Sequence, residues 1–124
     1  MRVTIYQIKT FARFAHSGRI ADGSLIEAID RAERGLIDAG LGDGLIKQRV
    51  PRQGQGRRGG YRVIIGFRSG DFAVFLFGFA KSEQENIDDH QLQTLRRIAG
   101  AWLSANAATI KKAVEQGELL EIEP

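Results

Sequence analysis

Arg2–Ile8 alternates Val3, Ile5, Tyr6 and Ile8 with polar residues, imperfectly, and predicts a first strand. Phe11, Phe14 and Ala15 then fall at helical spacing, and Gly18 stands as a stop, so a short helix follows. The stretch "SLIE" (Ser24–Glu27) has the capping-box pattern, in which two side chains satisfy each other's free backbone N–H groups. After it Leu25, Ile29, Ala32 and Leu36, with Ile26 and Ile37 beside them, form an apolar stripe that ends near Gly40. Leu45–Val50 alternates again. Tyr61–Arg68 and Phe72–Ala80 are rich in β-branched and aromatic residues and are joined by "SGD" (Ser69–Asp71), which predicts a hairpin. Asp88 and Asp89 are candidate N-caps for a helix with Leu92, Leu95, Ile98, Ala99, Trp102 and Leu103 on one face. Asn106 is a candidate cap for another helix, carrying Ile110, Ala113 and Val114 up to Gly117. The order β-α-α-β-β-β-α predicts one α+β domain over residues 1–124, with a mostly antiparallel four-stranded sheet and a C-terminal helical segment at 88–117.

Composition narrows the chemistry. The 124 residues include no Cys, which excludes disulfides, a thiolate nucleophile and Cys-ligated zinc. His16 and His90 are too few for a His-built metal site, and each flanks or sits on a predicted helix, so neither is assigned a catalytic role. "MRVTIYQIK" has no apolar core of a signal peptide, and the longest apolar run, Phe72–Ala80, is far short of the roughly 20 residues of a membrane span. A cytoplasmic, soluble protein with no membrane partner is expected.

The net charge of +3 hides a division. Leu45–Arg68 holds seven cations, Lys47, Arg49, Arg52, Arg57, Arg58, Arg62 and Arg68, and no acid; the remainder has 11 Lys and Arg against 15 Asp and Glu. A block of one sign is a local field suited to a polyanion, whereas a merely solubilising surface mixes both signs. Inside the block, "PRQGQGRRGGYRV" contains a G-x-G-x-x-G at Gly54, Gly56 and Gly59. A dinucleotide fingerprint must open a helix, but a predicted strand follows here, and no acid lies about 20 residues on. What remains is a basic, glycine-loosened loop at 51–60, either a mobile turn or an arm in which Arg52, Arg57 and Arg58 reach phosphates. Strand parity adds that Lys47 and Arg49 share a face, and that Arg62, Ile64 and Arg68 share another, opposite Tyr61, Val63, Ile65 and Phe67. Lys47, Arg49 and Arg62 on one sheet face would form a cationic platform.

Three motifs then act together: G-L/I-x-K-x-R at Gly44–Arg49, G-x-G-x-x-G-G-Y/F-R at Gly54–Arg62, and F/Y-G-F-A-K-x-E-x-x-N-I at Phe77–Ile87. In combination they resemble the RelE/HigB branch of bacterial toxin–antitoxin toxins, and the likeness extends over nearly the whole chain. The resemblance implies a small RelE-like α+β fold, a ribosome-dependent endoribonuclease that cuts mRNA, no metal and no cofactor. It also implies a cognate antitoxin, of helix-turn-helix type for HigB-like members.

On that implication the residue types assign roles. The 2′-OH attacks the adjacent phosphorus and negative charge builds on the phosphate; Arg62 is the first choice to stabilise it and Arg49 the second. Arginine stays protonated and cannot be the base. Lys47 or Lys81, where neighbouring cations favour a neutral amine, and the carboxylate Glu83 are the alternatives. Arg52, Arg57, Arg58 and Arg68 are expected RNA contacts. Tyr61 should pack rather than stack on a base, Asn86 should fix its loop, and Trp102 should be core. One departure stands out. Catalytic relatives often carry an arginine at the end of the last strand and a tyrosine soon after, where "AKSEQENI" (Ala80–Ile87) offers Lys81 and neither of those. A binding module without the acid–base pair is therefore the alternative within the family, and an unrelated regulatory protein with a basic arm the alternative outside it.

Overall fold

The computed structural model describes residues 3–51, 60–84 and 86–124. Ten elements follow one another: β1 (Thr4–Ile8), α1 (Lys9–Ser17), α2 (Asp22–Glu33), β2 (Ala39–Gly42), β3 (Leu45–Val50), β4 (Tyr61–Arg68), β5 (Phe72–Ala80), α3 (Asp89–Ser104), α4 (Ala107–Glu115) and β6 (Leu119–Ile122). The strands form one sheet in the order β2-β3-β4-β5-β1-β6. Every neighbouring pair is antiparallel except β1 with β5.

The α+β class holds, with six strands rather than the four expected. Both extra strands are short and lie at the sheet edges. β2 was expected as the tail of the second helix. That helix stops at Glu33, because Gly35 takes φ +82°, and pairing with β3 draws Ala39–Gly42 out as a strand. Leu36 and Ile37, expected on the helix stripe, are exposed instead. The "SLIE" capping box is not made either. The helix starts at Asp22, two residues before Ser24, and its N-cap, Ala21, has no side chain able to cap. β6 follows α4 through Gly117 at φ +77° and pairs with β1, burying Leu119 and Ile122.

Other local expectations are met. Asp88 and Gln91 form a capping box at the start of α3, and the Asn106 side chain accepts the Thr109 N–H at 2.8 Å at the start of α4. Each apolar face of the sheet has its own layer. Val63, Ile65, Ala73 and Phe75 pack with Phe11, Leu25 and Ile29 of α1 and α2. Leu45, Ile64, Val74 and Leu76 pack with Leu95 and Ala99 of α3 and Ala113 of α4. The Tyr61 ring stands edge-on to Phe14 at 5.3 Å and its hydroxyl donates to the Gly18 carbonyl, which is the packing role parity predicts. Trp102 is only half-buried against the α3 layer.

Two features position the site. Gly66 lets α3 close on the sheet, since a Cβ there would lie 3.1 Å from Val74 and 3.4 Å from Ala99. A bulge in β5 opposite Ile64 and Ile65 inserts Leu76, so Leu76 and Phe77 both turn to the α3 side and the last strand residues are re-aimed.

Candidate functional site

The β3–β4 register sets Arg49 directly opposite Arg62 and Lys47 opposite Ile64. The β4–β5 register continues these rows to Phe79 and Phe77. Arg49, Arg62 and Phe79 thus make one row, and Lys47, Ile64 and Phe77 the next, on the face that carries α3. The platform expected from parity is therefore formed. Arg49 is exposed and Lys47 half-buried, while Arg62 is only 7% exposed.

Two guanidinium groups in register repel each other. Burial is the larger cause lowering the Arg62 pKa from its ordinary value, and the Arg49 charge adds to it; the Asp38 carboxylate acts in the opposite sense. The row therefore carries concentrated positive charge in a partly dry setting, where an anion is held more strongly than in water.

The Arg49 backbone is fixed by groups that sequence reasoning missed. β2 pairs with β3 only as far as Ala39 opposite Lys47. Beyond that point the Asp38 carboxylate accepts the Arg49 N–H at 2.7 Å, and the Arg31 Nη2 donates to the Arg49 carbonyl at 2.6 Å. Buried Arg31 also reaches Glu27 at 2.8 Å and Asp38 at 3.5 Å. Fully buried Gln48 accepts from the Asp38 N–H at 2.8 Å and donates to the carbonyls of Ala28 and Leu36. Because both Arg49 main-chain groups point to this side, Arg49 and Arg62 form a non-hydrogen-bonded pair, the type in which facing side chains come closest. The Glu27–Arg31 spacing of four was readable as a helical ion pair. Nothing in the sequence joins Arg31 or Asp38 to Arg49.

The other expected residues distribute unevenly. Lys47 Nζ donates to Asn86 Oδ1 at 3.4 Å, and the same oxygen accepts the Ile87 N–H at 3.0 Å, so Asn86 does fix its loop. Lys81 and Glu83 are exposed in the turn after β5. The Lys81 N–H donates to the Gly60 carbonyl, which puts that turn at the Arg62 end of the sheet. Arg68 is six residues along β4 from Arg62, about 20 Å away at strand rise. Its Nε pairs with Asp71 at 2.9 Å and its Nη2 donates to the Leu103 carbonyl at 2.6 Å. Arg52, Arg57 and Arg58, with most of the 51–60 loop, lie outside the described residues. Among the described residues no group of three or more His, Asp or Glu is arranged to hold a metal ion, and no helix is long and apolar enough to cross a membrane.

This small sheet, with a cationic row at one end, agrees with comparison to known families. The family model for the RelE toxin of the RelE/RelB toxin–antitoxin system matches residues 1–122. The chain belongs to the RelE toxin family. It is a toxin of a toxin–antitoxin system, so its partner is an antitoxin. No curated protein matches the chain. In this RelE-family toxin the motif residues Lys47, Arg49 and Arg62 are those the sheet brings together.

Proposed function

We propose that this toxin is an endoribonuclease that cuts mRNA on the ribosome, with the Arg49–Arg62 pair as its phosphate site. The observation that carries the reading is the buried Arg62 set in register with a second arginine. A preorganised guanidinium aimed at developing charge is usually the largest electrostatic aid to such a reaction. The 2′-oxygen attacks the adjacent phosphorus and the bond to the 5′-oxygen breaks, leaving a 2′,3′-cyclic phosphate and a 5′-hydroxyl. The 2′-OH proton goes to a base, for which Lys47, Lys81 and Glu83 stand at the right end of the sheet. A proton returns to the leaving 5′-oxygen. Arg62 and Arg49 hold the non-bridging oxygens, whose charge rises in the transition state. Arg52, Arg57 and Arg58 extend the phosphate contacts from the basic loop. Arg68 is left out, since its guanidinium is engaged at the other end of β4. The cell compartment that fits this substrate is the cytoplasm, and the antitoxin of helix-turn-helix type is the partner proposed to restrain it.

Lys81, standing where catalytic relatives carry an arginine, favours a second reading in which the chain binds RNA or antitoxin without cutting. Induction of the chain alone, with cellular mRNA ends mapped, decides between the two. Growth arrest with cuts inside translated codons, both lost in Arg62→Ala, is expected. Arrest without cuts overturns the nuclease reading in favour of the binding module, and cuts indifferent to Arg62 overturn the assigned site.

A further inference from the structure

The strand β3 carries Lys47 and Arg49, yet its edge partner β2 ends before Arg49 is reached. An edge strand left there would present a bare N–H and C=O, free to twist or to pair elsewhere. Here side chains do the work of the missing strand. Asp38 takes the Arg49 N–H at 2.7 Å and Arg31 meets the Arg49 carbonyl at 2.6 Å. The two are charged, so these are charge-assisted bonds, stronger than the ladder bonds they replace. They also face each other at 3.5 Å, and Glu27 fixes Arg31 from behind at 2.8 Å. Gln48, fully buried on the opposite face of β3, locks the Asp38 main chain by accepting its N–H at 2.8 Å. Asp38 is therefore held at both its backbone and its carboxylate, and it fixes the Arg49 main chain on the side of β3 away from β4.

We infer that Asp38, backed by Arg31, is a positioning residue of the phosphate site. Its carboxylate fixes the main chain of Arg49 and supplies the negative charge beside which two opposed guanidinium groups can be held ready for a phosphate. The inference rests on the nuclease reading for its catalytic consequence, but the clamp itself is a property of the folded chain. Asp38 touches no RNA in this scheme. Its removal should lower the rate of cutting at saturation and leave affinity nearly unchanged, because the cationic charge that attracts RNA is intact. A misaimed donor costs transition-state contact more than ground-state contact.

The test uses Asp38→Ala and Asp38→Asn in the full chain, at a temperature where thermal unfolding shows each variant folded. Single-turnover cleavage and affinity are measured on ribosomes programmed with a defined mRNA. Asp38→Ala should cut at least tenfold more slowly with affinity within threefold of the parent. Asp38→Asn, which keeps an oxygen for the Arg49 N–H, should recover most of the rate. Full activity in Asp38→Ala overturns the inference, and so does loss of rate and affinity together in both variants. Side-chain NMR of the arginine Nε–H groups gives a readout that needs no RNA. In Asp38→Ala the Arg49 and Arg62 signals should shift and the Arg49 amide should exchange faster, while the Arg68 signal stays in place. Unmoved Arg49 and Arg62 signals overturn the clamp even if the protein cuts RNA. If the parent does not cut, the nuclease reading fails alone, and these signals still decide the clamp.

Discussion

Arg62 and Arg68 lie on the same strand and have the same parity, yet they are engaged in opposite ways. Arg68 is half exposed and its guanidinium is committed: one edge to Asp71 across the β4–β5 turn, the other to the Leu103 carbonyl in the last turn of α3. A cation there also meets the negative end of the helix dipole. Arg62 is buried and faces Arg49 across the ladder, so like charge confronts like. One arginine closes a turn and anchors a helix end, and the other maintains a field. Counting cations along Leu45–Arg68 treats the two alike. What separates them is position along the strand: register sets Arg62 opposite a second arginine, whereas Arg68 lies beside Asp71 at the turn.

The widest separation is expected in the rate of RNA cleavage. Arg62→Gln should slow single-turnover cutting of ribosome-bound mRNA by about 100-fold or more, the usual cost of removing one donor from a preorganised anion site. Arg68→Gln should leave the rate of folded protein within about threefold, as expected for a side chain whose bonds are a surface ion pair and one helix-end contact. Equal losses in the two variants would break the contrast and make both arginines parts of the scaffold.

Much of this arrangement was readable along the chain, and the reasons for the remainder are physical. β3, β4 and β5 announce themselves by alternation and β-branched content, so the pairing of Lys47 with Arg49 on one face of β3 follows directly, whereas their sharing a face with Arg62 needed the β3–β4 register. α3 and α4 carry caps with side chains that do cap. β2 and β6 are four residues each, too short for a period to show. β2 had one local marker, the Asp43–Gly44 pair between Gly42 and Leu45, both at positive φ as a tight two-residue hairpin requires. β6 had only Gly117 ahead of Leu119 and Ile122. The Asp38 clamp was not legible at all, because it joins α2, the α2–β2 connection and β3 through side chains 11 and 18 residues apart in sequence. No periodicity encodes such a contact, and only the closed sheet shows that β2 stops short of Arg49.

A smaller separation should appear in binding. Arg49 is exposed beside Arg62 and free to meet a phosphate from the open side. Arg49→Gln should weaken RNA affinity by roughly threefold to tenfold and flatten the dependence of log affinity on log salt by about 0.7, one phosphate's share for a single strand. Arg68→Gln should leave that slope unchanged within error. The same measurement on Arg57→Ala with Arg58→Ala tests the basic loop, where a slope reduced by about 1.4 corresponds to two phosphates. If Arg49→Gln and Arg68→Gln move the slope together, RNA spans the whole strand and the engaged Arg68 must release Asp71 to bind.

The smallest difference, and the one whose sign matters most, is in stability without RNA. The Arg62 pKa is lowered by burial first and by Arg49 second, so the folded state disfavours the charged form. A cationic group with a lowered folded pKa destabilises the fold at every pH below that value, which includes neutrality. Arg62→Met should therefore raise the melting temperature of the free protein. Arg68→Met should lower it slightly, through loss of the Asp71 and Leu103 contacts. Added phosphate, by occupying the cationic row, should raise the melting temperature of the parent protein and have less effect on Arg62→Met. A mutant that loses cleavage while gaining stability is the signature of a residue kept for function. Should Arg62→Met melt lower than the parent, the buried arginine is a structural bridge like Arg68, and the two ends of β4 differ only in degree.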